Sequence, residues 1–456
     1  MFEKDTICAL ATPVGGAIAV IRLSGLTTFS IIQQVFSKDI KAIKPNTLRY
    51  GEIINKKGEL IDDVVISFYC APHSYTGEDA AEISCHGSRY IVGQILQLLI
   101  DNGCRLANPG EYTRRAYLNG KMDLNQAEAV ADLIASTNRS SHKLALNQMK
   151  GHVTTELEKL REQLLKLTSL LELELDFSDH EDIQFANRHD LLDISTHLQQ
   201  RIRQLGKTFQ TGQAVKQGVP VAIIGKTNVG KSTLLNNLLH EERAIVSDVH
   251  GTTRDCIEDT TDINGLTFRF IDTAGIRQTE DKVEQIGISR TWDKLSQASI
   301  VLWVLDQLPT AEEQHEIASH CSEKKLLLVA NKMDENQSLY DSLSAVNIAQ
   351  GGVYAISAKY NQGIEELKQA IFNAADIPHL QDNDVIITST RQYNLLLKVD
   401  EHLSRVVDGL KNLTSSDLIA EDLRLVIDSL SEISGVERIT SQETLNNIFA
   451  HFCIGK

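Results

Sequence analysis

Proline and cysteine are scarce in this 456-residue chain, with 7 of each. So few prolines, beside 42% apolar and 23% charged residues, exclude a collagen-like or disordered polypeptide. The cysteines (Cys8, Cys70, Cys85, Cys104, Cys256, Cys321, Cys453) are scattered, odd in number and form no Cys-x-x-Cys pair. That pattern excludes a disulfide framework or a zinc site and fits thiols kept reduced in a cytoplasm. No apolar run approaches the ~18 residues that span a bilayer, so no membrane association is expected. The start, Met1-Phe2-Glu3-Lys4-Asp5, lacks the apolar core of a signal peptide. Basic residues are in deficit, 45 against 61 acidic, for a formal charge of −16. This argues against an indiscriminate nucleic-acid binder, which needs clustered Lys and Arg. The length suggests two to four domains at roughly 100–200 residues each.

Composition divides the chain. Residues 1–118 mix short β-rich runs, such as Ile18-Ala19-Val20-Ile21 and Val64-Val65-Ile66-Ser67-Phe68, with loops and a helix over 91–100. They carry 12 basic and 12 acidic residues, so the whole negative balance lies downstream. Residues 119–216 are helical and acidic, and Leu157, Leu160, Leu164, Leu167 and Leu171 share one helix face. With under three heptads, that stripe fits a bundle contact better than a coiled-coil seam. Over 217–375 strand-like and helical segments alternate from Val219–Ile224 onward, the mark of a parallel sheet with crossover helices. Asn264-Gly265 within it signals a hairpin. Residues 376–456 are helical again, with Leu396, Leu403, Val407 and Leu410 on one stripe and Leu423, Val426, Ile427 and Leu430 on another. Thr440 and Glu443 form a capping-box signature for a last helix bearing Leu445, Ile448, Phe449 and Phe452. The expected architecture is multidomain α/β and α: an α+β N-terminal domain, then a discontinuous helical domain interrupted by an inserted P-loop domain.

Gly225-Lys226-Thr227-Asn228-Val229-Gly230-Lys231-Ser232 is G-x-x-x-x-G-K-S, directly after a strand and before a helix that Thr233 continues. Such a loop wraps phosphates in backbone N–H groups at a positive helix N-terminus. Lys231 would reach the β/γ-phosphates and the Ser232 hydroxyl would bind Mg²⁺. The loop alone leaves ATP and GTP open; later elements choose. Asp272-Thr273-Ala274-Gly275, after a strand at 268–271, puts a carboxylate near Mg²⁺ and a Gly N–H near the γ-phosphate. Asn331-Lys332-Met333-Asp334 follows a strand at 326–330, and its Asp carboxylate accepts from guanine N1–H and the exocyclic amine. Adenine lacks both donors and would leave the acceptor unpaired. Ser357-Ala358-Lys359, after 353–356, offers a backbone donor to the guanine carbonyl. The ordered set resembles the translation-factor class of P-loop GTPases.

Two features depart from the common GTPase pattern. Ile276 stands where a water-orienting Gln is usual, and an aliphatic side chain cannot orient water. Glu280, Asp281 and Glu284 are the acidic candidates nearby. No arginine finger is obvious, although Arg254 and Arg277 lie in the two switch segments. A monovalent cation would supply that charge: Asn228 has a side-chain oxygen suited to K⁺, and Ser247 with carbonyls of 248–252 would complete an oxygen shell.

Ile245-Val246-Ser247-Asp248-Val249-His250-Gly251-Thr252-Thr253-Arg254-Asp255 resembles the first switch of the tRNA-modification GTPase family MnmE (TrmE). The inserted domain, its flanking helices and the terminal Phe452-Cys453-Ile454-Gly455-Lys456 are similar to that family too. The resemblance implies a K⁺-stimulated cytoplasmic GTPase that works as a homodimer and, with the flavoprotein MnmG, as a heterotetramer that handles tRNA. It implies installation of an aminomethyl-type group at C5 of the wobble uridine, the carbon coming from a folate such as 5-formyl- or methylene-tetrahydrofolate. The implied residue roles are as follows. Asn228, Ser247, Val249 and Thr252 hold K⁺; Ser232 and Thr253 hold Mg²⁺; and Glu284 positions the attacking water. Switch residues Asp248, His250 and Gly251 belong to the nucleotide contacts. The N-terminal domain resembles the folate-binding domains of one-carbon enzymes, with Arg22, Glu82, Lys121 and Lys456 as folate contacts and Cys453 as a functional cysteine beside them. A cation suits the folate carboxylates and a carboxylate suits the pterin N–H groups. From residue chemistry alone, Arg22 reads as a strand-edge charge, Glu82 as an ion-pair partner and Cys453 as a small core residue. The alternatives are a ribosome-assembly GTPase, for which no RNA-binding module is evident, and a GTP-gated interaction protein.

Overall fold

The computed structural model describes residues 5–40, 44–176, 188–239, 259–271, 295–345, 351–378, 381, 384–412, 414–435, 449, 452 and 455. They fall into two compact units. One is built from Met1–Ala131, Gln148–Gln199 and Asn394–Lys456, the other from Asp132–Asn147 and Gln200–Tyr393. Among the described residues no helix is long and apolar enough to cross a membrane.

The first unit opens with six strands: β1 (Thr6–Leu10), β2 (Ile18–Ser24), β3 (Thr47–Ile54), β4 (Leu60–Tyr69), β5 (Ala80–His86) and β6 (Cys104–Leu106). They form one sheet ordered β3-β4-β5-β2-β1-β6. All neighbours are antiparallel except β1 and β6. Side chains alternate across a strand, so β2 turns Ala19, Ile21 and Leu23 into a core with Ile31, Ile32, Val92, Ile95 and Leu99. The expected helix over 91–100 is the longer Arg89–Asp101, which supplies several of those residues. The opposite face carries a smaller cluster of Ile7, Ala9, Ala107 and Tyr112. In the helical part of this unit, Leu157, Leu160, Leu164, Leu167 and Leu171 are buried. Their helix, His152–Asp176, packs on Ser416–Ser434, which buries Ile419, Leu423, Val426 and Leu430. The leucine stripe is thus an intrachain bundle contact. The capping-box pair Thr440 and Glu443 lies outside the described residues.

The second unit holds β7 (Val219–Ile224), β8 (Asp259–Ile263), β9 (Leu266–Phe270), β10 (Ile300–Leu305), β11 (Lys325–Ala330) and β12 (Val353–Ala355) in the order β12-β11-β10-β7-β9-β8. Every pair is parallel except the β8–β9 hairpin. Its turn residues Asn264 and Gly265 have φ of 55° and 80°, the two left-handed conformations that a primed two-residue turn demands. A parallel sheet needs apolar cover on both faces. Val221, Ile223, Phe268, Leu302, Val304, Leu327 and Val329 point one way, while Ala222, Ile224, Val301, Trp303, Leu326 and Leu328 point the other. Residues 132–147 belong to this unit for a local reason. Asn138 caps helix Arg139–Met149 by accepting from the Ser141 N–H at 2.7 Å, and its amide donates to Thr267 Oγ1 at 2.7 Å beside the hairpin.

A charge network underlies the first sheet. Arg115 reaches Asp5 at 2.6 Å, Glu111 at 3.0 Å and Glu78 at 3.3 Å, and Arg105 reaches Asp5 and Glu111, each at 2.6 Å. Burial alone would raise the Glu111 carboxyl, but Arg105, the Asn108 N–H and Arg115 hold it below its ordinary value. Asp5 is likewise lowered: burial is outweighed by Arg105 and Arg115. Depressed folded values mean that the stabilisation is complete above the ordinary values of 4.5 and 3.8 and is lost as pH falls through the lower folded ones. Denaturation midpoints of the first unit, followed by circular dichroism, should therefore be flat from neutral pH to about 5 and fall steeply below about 4. Glu111→Gln, which removes a carboxylate shared by buried Arg115 and partly exposed Arg105 while both keep Asp5, should cost about 1–3 kcal/mol at neutral pH and flatten part of that slope.

Candidate nucleotide site and N-terminal cavity

Strand β7 delivers the chain into the loop 225–230, and helix Lys231–Leu239 leaves it, burying Leu234, Leu235 and Leu238 under the sheet. Asn228 sits at φ 61°, and Gly230 at φ 96° lies so close to Asn331 that any Cβ there would overlap the Asn331 amide. The Lys231 ammonium donates back to the Gly225 and Lys226 carbonyls at 2.8 and 2.5 Å, which places it inside the loop. Ser232 and Thr233 are exposed at the first turn of the helix, where backbone N–H groups are unsatisfied by the helix itself.

The elements expected to read a base converge on the same loop. Asn331, buried at the end of β11, donates to the Val229 carbonyl at 2.7 Å and accepts from the Ala358 N–H at 3.0 Å. Its one amide joins the phosphate loop to the Ser357-Ala358-Lys359 turn. Ser357 Oγ donates to Asp334 Oδ1 at 2.6 Å, orienting that carboxylate, and Asn237 from the loop's own helix donates to the Ala358 carbonyl at 2.6 Å. Lys332 pairs with Asp306 at 2.7 Å, and the Lys359 ammonium lies 5.1 Å from the Tyr360 ring centroid. Asn228, Val229, Gly230, Lys231, Asn331, Asp334, Ser357 and Ala358 therefore form one constellation. Ser247, Asp248, Val249, His250, Gly251, Thr252, Thr253, Asp272, Thr273, Ala274, Gly275 and Glu284 lie outside the described residues, as do Glu280, Asp281, Arg254 and Arg277.

A second site lies on the sheet face of the first unit opposite helices Thr28–Val35 and Arg89–Asp101. Arg22 and Glu82 are directly paired across β2 and β5. Arg22 Nε and Nη2 both donate to Glu82 Oε1, at 2.9 and 2.7 Å, and Nη1 donates to the Gly455 carbonyl at 3.1 Å. The guanidinium lies 5.6 Å from the Tyr112 ring and 5.8 Å from the Tyr75 ring. These groups, with Ser24, Tyr69, Thr76 and Ala80, line a cavity of about 220 Å³. Burial pushes the Tyr112 hydroxyl far above its ordinary value, so it stays a donor, to the Arg22 carbonyl at 2.8 Å. Ser24 donates to Glu78 at 2.7 Å, which ties the cavity wall to the Arg115 network. Lys121 donates to the Pro72 carbonyl at 2.9 Å, on the loop that carries Tyr75 and Thr76. Cys453 and Lys456 lie outside the described residues.

Sequence reasoning brought Arg22 and Glu82 forward but missed Ser24, Tyr75, Thr76 and Tyr112. The period-2 alternation of β2 already set Arg22 and Ser24 on one face, and that signal was available. The tyrosines carry no such mark, because they arrive from a loop and from the buried helix Glu111–Leu118.

Replacing Asn331 by Ala strands the Val229 carbonyl and the Ala358 N–H in a buried position. The second unit should lose about 1–3 kcal/mol in chemical denaturation, and nucleotide affinity, measured by fluorescent-analogue titration, should fall at least about tenfold as loop and turn separate.

Comparison with known proteins gives the lineage. Residues 6–121 match the model of the GTP-binding protein TrmE N-terminus, and residues 124–453 match that of the MnmE helical domain. The chain is 50% identical over 468 residues to the tRNA modification GTPase MnmE of Bacteroides thetaiotaomicron, covering 100% of both chains. It is 47% identical over 471 residues to that of Flavobacterium johnsoniae, again covering 100% of both. Among solved structures, the G domain of the T. maritima FeoB iron transporter is 26% identical, covers 34% of this chain and 98% of that one, and has a TM-score of 0.26. With a family model over more than half its length and full-length relatives near 50% identity, the chain belongs to the tRNA modification GTPase MnmE family.

Proposed function

We propose that this chain hydrolyses GTP in the service of tRNA modification: as a homodimer joined to the flavoprotein MnmG, it modifies C5 of the wobble uridine of tRNA. The observation that carries the nucleotide half is the Asn331 bridge, which holds the phosphate loop at 2.7 Å and the base-reading turn at 3.0 Å on opposite ends of one amide. A guanine seated against Asp334 then meets a carboxylate already oriented by Ser357. In this reading Lys231 contacts the β/γ-phosphates, and Asp272, Thr273, Ala274 and Gly275 follow the γ-phosphate. Ser232 and Thr253 are the residues that would hold Mg²⁺. Asn228, Ser247, Val249 and Thr252 would hold K⁺, and the left-handed Asn228 frees its side chain from any helix pattern. The two cations would neutralise charge that develops on the transferring phosphoryl group. Glu284 orients the attacking water in place of the missing Gln.

The N-terminal cavity suits a 5-formyl- or methylene-tetrahydrofolate. It offers two aromatic walls for a flat heterocycle and an Arg22–Glu82 pair with both a donor fork and a carboxylate. Lys121 and Lys456 are the further cations for the ligand's carboxylates, and Cys453 is the reactive side chain near them. Hydrolysis of GTP orders the complex and does not itself move carbon. The −16 charge supports tRNA being held through the MnmG complex and not by this chain alone.

Hydrolysis should be several-fold faster in K⁺ than in Na⁺, and a deletion strain should lack the modified wobble uridine by nucleoside mass spectrometry; unchanged nucleosides would sink the tRNA reading. Asp334→Asn replaces an acceptor by a donor. It should weaken GTP binding by at least about 100-fold and restore tight binding to XTP, whose C2 carbonyl now finds a donor.

A further inference from the structure

Gly455 is held where no other residue fits. Its φ is +94°, and a Cβ would lie 2.6 Å from the Leu10 carbonyl and 3.1 Å from Ala11 Cα. That backbone cannot retreat, because Leu10 pairs with Ile21 in the sheet and the Ala11 N–H donates to the Val20 carbonyl at 2.8 Å. The close approach delivers the Gly455 carbonyl to Arg22 Nη1 at 3.1 Å. Nε and Nη2 are taken by Glu82, so among the described residues Gly455 supplies the partner on the Nη1 side. Both Glu82 bonds end on one oxygen, Oε1, so the guanidinium could still swing about that contact; with Tyr75 and Tyr112 near it, the Gly455 bond stops the swing. Upstream, Phe449 and Phe452 are buried against Leu124 and Ala127, so the segment before Gly455 has its own anchor.

We propose that Gly455 is a positioning residue for the N-terminal cavity: its carbonyl locks the Arg22 guanidinium in the pose that meets an anionic ligand, so docking of the C-terminal tail and occupancy of the cavity strengthen each other. The coupling is reciprocal by linkage. The second N–H of Nη1 and of Nη2 remain for the ligand, and a fixed pair of donors loses less freedom on meeting a carboxylate than a swinging one. The inference takes its ligand class from the folate reading, but the contact itself does not depend on it.

The test uses the full-length protein and 5-formyltetrahydrofolate as the probe. In Gly455→Ala, binding by calorimetry should weaken about tenfold, the loss of one charge-assisted bond. The thermal midpoint should fall by no more than about 2–4 °C, since Phe449 and Phe452 stay packed. Added to Arg22→Gln, the same substitution should cost nothing further, which a merely structural glycine would not show. Wild-type affinity in Gly455→Ala, or full additivity in the double variant, overturns the proposal. Hydrogen exchange of the C-terminal peptide, measured without ligand, is an independent arm. Arg22→Gln and Gly455→Ala should speed it, while Lys121→Gln, whose ammonium sits on the Pro72 carbonyl, should not. If wild type ignores the probe, the folate reading falls and the exchange arm still decides: unchanged exchange in Arg22→Gln refutes the contact's role.

Discussion

In a parallel sheet, every strand that ends on the same side offers its following loop to a common rim, and something must hold those loops in register. In the second unit a buried amide does this. Asn331 follows β11, the phosphate loop follows β7 and the Ser357–Ala358 turn follows β12, and the Asn331 side chain spans the last two with one donor and one acceptor. Both groups it satisfies belong to backbone that regular structure has already left, so they have no ladder to fall back on. Gly230 is compelled by the same contact, because a Cβ would occupy the space of that amide. The loop proposed to hold phosphates and the turn proposed to read the base thus share a single buried amide.

The first unit meets a different problem: a sheet face that must stay polar enough for a cavity yet buried enough to hold shape. Its answer is to pair charges in place. Arg22 is matched to Glu82 by strand register, and from Ser24 the contacts run through Glu78, Arg115, Asp5, Glu111 and Arg105 without leaving a charge of that set unopposed. Such a network is costly to desolvate and contributes geometry more than net stability. Its worth here is that hydroxyls and guanidinium groups lining the cavity cannot choose other rotamers.

How legible this was depended on the range of the interaction. The phosphate loop, the hairpin at Asn264-Gly265, the central strands and the leucine stripe are local patterns, and each is present where period and turn chemistry put it. β6 has only three residues, Cys104–Leu106, and pairs parallel with β1 across about a hundred positions, so no window of sequence contains its reason to be a strand. The cavity was legible only through family resemblance. Tyr75 and Tyr112 are brought to Arg22 by tertiary packing, and an isolated Arg in a β run looks like any strand-edge charge. Residues 132–147 join the second unit through long-range contacts: Leu144 in its core, the Lys216–Asp132 pair and the Asn138 amide, whose second partner, Thr267, is 129 residues away.

The charge balance bears on where RNA can bind. Residues 1–118 are the one neutral part of an otherwise acidic chain, which makes them the place to look for a reserve of cations for phosphates. The structure spends part of that reserve internally. Arg22, Arg105 and Arg115 are committed to Glu82, Asp5, Glu111 and Glu78, while Lys38, Lys44, Arg49, Lys57 and Arg89 are exposed. Counterion release, the main source of affinity for a nucleic-acid backbone, requires cations that are exposed and unpaired. Setting aside those three basic residues and their four acidic partners leaves residues 1–118 with 9 basic against 8 acidic residues, close to neutral, and the remainder of the chain is acidic. A near-neutral N-terminal stretch in an acidic chain offers little net attraction for phosphates, which favours the arrangement proposed with the flavoprotein, in which RNA meets further cations elsewhere in the assembly.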